Sequence, residues 1–157
     1  MDLPADVYLQ QFALARQIEQ ERTRVAIATQ AVRKLQADIA KQREQVPALA
    51  DDADALGAQL HALAGTRAAT NPHNAWSFPP GNVQTLRYVS ESLDKLEQAV
   101  DGSDHAPSPD ARAGLAKIRP LADATLAAWS AWQAKELPAF NAKLQQAGRE
   151  PVAVKQD

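Results

Sequence analysis

Three histidines, His61, His73 and His105, are the only imidazoles in this 157-residue chain, and their separations of 12 and 32 match no metal-ligand spacing. No cysteine is present, which removes thiol nucleophiles, disulfide frameworks and thiolate metal sites at once. The 19 Asp and Glu residues offer carboxylate pairs for acid–base work, yet each falls on an expected solvent face, in a first helical turn or in a loop. Asp51, Asp52 and Asp54 read as charge complementing the start of a helix dipole rather than as a cation cage. Gly-rich phosphate loops, G-x-S-x-G and H-E-x-x-H are all missing. The residues point to no enzyme active site, no metal and no cofactor. What stands out instead is a loop, residues 66–81 (TRAATNPHNAWSFPPG), where Trp76 and Phe78 are costly to leave in water and must cover something.

The segments that position this loop are helical by composition and period. Alanine supplies 33 residues against 8 aromatics, and the other abundant types are good helix formers. Lys and Arg total 17 against 19 acids, a net charge of −2 without any basic block, so the footprint of a nucleic-acid binder is absent. From about residue 5 to 45 there is no Gly or Pro. Ile18, Val25, Val32, Ile39 and Val46 recur every seven residues, with Leu14, Ala28 and Leu35 between them and Val7, Tyr8 and Phe12 extending the stripe. That first helix is amphipathic, but its polar face mixes signs, which favours core packing over a membrane surface.

Pro47 opens a second helix, about 48–64, with Leu49, Ala53, Leu56, Leu60 and Leu63 on one side and Gly65 at its end. After the loop, Asn82 is expected to cap a third helix, about 83–100, carrying Leu86, Val89, Leu93, Leu96 and Val100. Ser108-Pro109-Asp110 starts a fourth, about 109–147, whose buried side holds Leu115, Ile118, Ala122, Thr125, Trp129, Trp132, Leu137, Phe140 and Leu144. Pro120 and Pro138 inside it predict a kink or a split. Gly148 ends it, and residues 149–157 read as a frayed tail.

The expected fold is therefore one all-α domain over residues 1–157, an antiparallel up-and-down bundle of two long and two short helices. In that version Trp129, Trp132 and Phe140 face Tyr8 and Phe12 across an antiparallel pair. A three-helix bundle, with the second and third helices joined end to end as an interrupted middle helix, fits the lengths equally. The loop itself is expected to be ordered. Trp76 and Phe78 project to the same side of an extended stretch, Pro79 and Pro80 stiffen the chain immediately after them, and Asn71, Pro72 and Asn74 shape its turns. These seven residues are the candidate loop anchors or interaction residues. They either fold back on the bundle or dock a partner protein; self-association is a further use, and membrane insertion is not expected, since no apolar run approaches ~18 residues. The start, Met1 to Asp6, lacks the features of a secretory signal, which suits a cytoplasmic protein or a domain cut from a longer chain.

The pieces LQQFALARQI (9–18), NPHNAWSFPP (71–80), LRYV (86–89), AVDGSDHAPSPDA (99–111) and LAAWSAWQAKELPAFNAKL (126–144) occur in order. Together they resemble the C-terminal helical region of large bacterial proteins built from BNR (Asp-box) repeats, which are commonly labelled glycosyl-hydrolase-like and carry a sortilin-type β-propeller ahead of this region. The resemblance spans about residues 3 to 150, and its most specific element is the loop. It implies a non-catalytic accessory domain that packs against or orients the propeller or mediates association, in a periplasmic or extracellular setting. The Asp-box pattern (Ser-x-Asp-x-Gly-x-x-Trp) does not occur here, so no catalytic residue carries over. Two alternatives remain open: a stand-alone adaptor binding through the Trp76/Phe78 loop, and a fragment contributing to a hydrolase site that the propeller completes.

Overall fold

The structure, a computed structural model, describes residues 4–65, 85–101 and 106–154. Among them the chain forms four α-helices and no strand: α1 (Ala5–Gln45), α2 (Ala50–Ala64), α3 (Leu86–Asp101) and α4 (Pro109–Gln146), with a short 3-10 turn over Pro47–Leu49. The all-α bundle expected from the periodicity is what forms. With 41 residues, α1 is about 60 Å long and serves as the spine against which the other three pack.

The four helices occupy three rows. Gln45 gives way at Val46 to the turn at Pro47, and α2 folds back along the second half of α1, joined by Arg43 Nε to Asp54 Oδ1 at 2.5 Å. Along the first half of α1 lies α3, where Arg22 reaches Asp94 at 3.0 Å and Glu97 at 2.6 Å. The end of α2 and the start of α3 meet, because a Cβ on Gly65 would sit 2.6 Å from Thr85 Oγ1. The interrupted middle helix is thus the arrangement taken. Running beside α1 in the same direction, α4 pairs its start with Gln10 through Arg112, its first half with Arg24 through Asp123, and its far end with Gln45 through Arg149. Trp129, Trp132 and Phe140 therefore lie far from Tyr8 and Phe12, and the expected aromatic facing does not occur.

Gly65 sits at φ +83°, with its N–H on the His61 carbonyl at 3.0 Å. Both its backbone and its closeness to Thr85 require the missing side chain. Gly65→Ala should lower stability by roughly 1–3 kcal/mol, seen as a reduced urea midpoint. An unchanged midpoint would place the two helix ends apart.

The core is the expected seam, less the two aromatics at the start of α1. Leu14, Ile18, Val25, Ala28, Val32, Leu35 and Ile39 of α1 are buried, as are Leu86, Val89, Leu93 and Val100 of α3. Tyr8 and Phe12, expected to extend that stripe, are instead 53% and 66% exposed, because each stands one position past the seam places held by the half-buried Val7 and Gln11. Helix α4 is continuous through Pro120 and Pro138. Each removes the bond to the carbonyl four residues back, but Pro120, Pro138, Ala116 and Ala134 all lie on the exposed side, where solvent can satisfy the freed carbonyls.

The helix starts differ in how much of each is visible. Ser108 caps α4 as expected, its Oγ accepting the Ala111 N–H at 3.1 Å. At the start of α3 that role falls to Thr85, whose Oγ1 accepts from the Tyr88 N–H at 3.1 Å; Asn82 lies outside the described residues.

The tail is not frayed over its described length. Gly148, at φ +72°, and Arg149 close α4 with a Schellman pair, Arg149 N–H to the Leu144 carbonyl at 2.9 Å and Gly148 N–H to the Gln145 carbonyl at 3.0 Å. The chain then turns back along α4, and Val152 joins the core.

Candidate functional site

The sequence-derived candidates Asn71, Pro72, Asn74, Trp76, Phe78, Pro79 and Pro80 all lie outside the described residues, as do His73 and His105. His61 is exposed on α2. The described residues offer three other features: a buried carboxylate, two grooves beside α4 and an uncovered apolar helix end.

The carboxylate is Glu21. It occupies the seam position between Ile18 and Val25, where the heptad asks for an apolar residue, and its side chain is 8% exposed. Arg24, one turn on, donates to both its oxygens at 3.1 and 2.8 Å, and Arg119 of α4 approaches to 3.5 Å. Arg24 also bonds Asp123 at 3.0 Å, and that bond, ahead of the pull of Glu21, raises the Arg24 pKa against the opposing effect of burial. Burial likewise works against the charge of neighbouring Arg22, but Glu97, Asp94 and Glu19 outweigh it. At the other end of α1 the hydrogen bond from Arg43 holds the Asp54 carboxyl below its ordinary value.

Sequence reasoning placed every acid on the outside and so missed Glu21. The signal was available as the one charged residue in an otherwise apolar i, i+3, i+4 series. Its two arginines remain about half exposed, so they regain water if the carboxylate is removed. Glu21→Leu should therefore leave thermal stability unchanged or raise it by about 1–2 kcal/mol. A loss of about 3 kcal/mol or more would make the ion pair a necessary part of the core.

Among the described residues, neither groove is lined by an acid. One, about 480 Å³, lies at the first half of the α1/α4 pair over Leu14 and Leu115, with Gln10, Gln17, Arg112 and Arg119 at its edges. The other, about 320 Å³, lies further along the same pair, with Ile27, Ala28 and Ala31 facing Leu126 and Trp129 and with Arg24 and Lys34 at the rim. Glu21 lines neither, its oxygens being turned to arginine. Among the described residues no group of three His, Asp or Glu is placed to hold a metal ion, and no helix is long and apolar enough to cross a membrane.

The third feature is chemically the simplest. Tyr8, Leu9 and Phe12 are 53%, 68% and 66% exposed and sit about one turn from each other near the start of α1. Large apolar side chains gathered in this way are suited to contact with another surface. No family model, curated protein or solved structure matches the chain.

Proposed function

We propose that this chain is a non-catalytic helical accessory module of a bacterial Asp-box repeat, glycosyl-hydrolase-like protein, and that it works by contact, packing against and orienting the β-propeller or bringing such proteins together. The observation that carries the reading is the uncovered Tyr8-Leu9-Phe12 end of α1. Burying those three side chains is worth several kcal/mol at ~25 cal/mol per Å², enough to hold two domains in a fixed relation when they share a chain. The order of the sequence pieces that resemble the C-terminal region of Asp-box proteins supplies the partner and the periplasmic or extracellular setting.

The test begins with the open reading frame. An upstream Asp-box propeller in frame with residue 1 is expected, and its absence would transfer the reading to a stand-alone adaptor. The propeller is then assayed against nitrophenyl glycosides with and without this chain. Equal hydrolysis in the two arms is expected. Turnover that requires both pieces would contradict a non-catalytic module and favour a shared hydrolase site.

A further inference from the structure

The C-terminal segment is held in a way that does not depend on its covalent link to α4. Val152 donates its N–H to Asn141 Oδ1 at 2.8 Å, and its carbonyl accepts from Asn141 Nδ2 at 2.9 Å. A carboxamide used like this supplies one donor and one acceptor, as the edge of a strand does, and it reads backbone without regard to side chain. Side-chain selection then falls to alternate positions of the extended chain. Val152 is buried, Ala153 is exposed, and Val154 is half-buried against the core. The 320 Å³ groove has Val154 at its rim and continues between α1 and α4 over Ile27 and Trp129, with Ile27 still 53% exposed.

We propose that the track running from the Asn141 clamp into this groove receives an extended peptide strand of a partner protein, one carrying small apolar side chains at alternate positions, and that residues 151–154, which hold the clamp and end at the groove's edge, are displaced when the partner binds. The backbone clamp lies beside the groove and not in its lining, so a compact apolar molecule in the cavity leaves the tail on Asn141, whereas a strand that crosses both replaces it. The seated Val-x-Val segment gives the pattern. A partner is favoured over a second copy because another copy's tail brings the same contacts as the tethered one, which competes at an effective concentration on the order of millimolar. A longer apolar strand gains surface in the groove that Val152 and Val154 do not cover. This surface is separate from the Tyr8 end, and the inference stands or falls without it.

The probe is a fluorescent peptide with the sequence of residues 149–157 (REPVAVKQD), titrated with the full chain and followed by anisotropy. The wild type should bind it weakly, since its own tail competes. Val152→Asp, which expels the resident tail, should bind at least tenfold tighter, and adding Asn141→Ala should remove at least that gain. A peptide that continues the alternation (REPVAVAV) should bind the Val152→Asp chain threefold tighter again. Equal affinity of wild type and Val152→Asp, or binding that survives Asn141→Ala, would overturn the receptor assignment. If the longer alternation binds no better, or if the wild type sediments as a tail-exchanged dimer, the partner assignment fails. Should Val152→Asp lose its helical circular dichroism, Val152→Ser replaces it with an expected gain of at least threefold, and no gain would again overturn the proposal.

Discussion

Replacing Trp132 by alanine should lower stability by about 3–5 kcal/mol, the largest loss expected from one substitution in this chain. The ring is 8% exposed and stacks on Trp129, with centroids 5.7 Å apart and planes 16° from parallel. Its indole N–H donates to Gln59 Oε1 of α2 at 2.8 Å, so the side chain joins α4 to the middle row by volume and by a hydrogen bond. Trp132→Phe separates the two contributions. It keeps most of the volume and should cost about 1–2 kcal/mol, much of it from the Gln59 bond. Urea denaturation reads both variants. A loss below about 1 kcal/mol for the alanine variant would mean that α4 does not close on α2 here.

Leu93→Ala comes next, at about 2–5 kcal/mol. Leu93 is wholly buried midway along α3 and lies in the core with Val89, Val100 and the α1 seam. Repair by collapse is limited on the α4 side, because α3 and α4 already approach closely where Gly114 meets Leu96; a Cβ on Gly114 would lie 3.3 Å from the Leu96 methyls. A midpoint shift worth less than about 0.5 kcal/mol would put Leu93 on the surface and break the assignment of α3 to the interrupted middle row.

Local chemistry was legible in the sequence where one signal had one meaning. The bounds of α1 follow from a glycine- and proline-free run closed by Pro47, the start of α4 from Ser108 and Pro109, and the end of α2 from Gly65. Signals that depend on neighbours in space read less well. Apolar type also misleads where phase decides: Tyr8 and Phe12 look like an extension of the α1 stripe, but the seam runs back from Ile18 and Leu14 through Gln11 and Val7 and leaves both rings one position outside it. Glu21 fills a seam position because Arg24 and Arg119 neutralise it, and Arg119 lies 98 positions away in sequence. Pro120 and Pro138 are compatible with a continuous helix because their freed carbonyls face water, a matter of which side is outside. Val152 looks like any valine in a tail, and only the return of the chain to Asn141 gives it a role. The loop residues from Asn71 to Pro80 lie outside the described residues, and their part is assigned by the sequence alone.

The most direct test of the contact role is calorimetric titration of this chain with the Asp-box propeller domain that the proposed function expects upstream of it, comparing the wild type with the variant Tyr8→Ser, Leu9→Ser, Phe12→Ser. All three side chains are exposed, so the variant keeps its helices, and circular dichroism confirms this before titration. The account predicts binding by the wild type at a Kd of about 10 µM or tighter, equivalent to roughly 7 kcal/mol, with a loss of at least tenfold in the variant. Absence of wild-type binding, or equal affinity of the two chains, would contradict it.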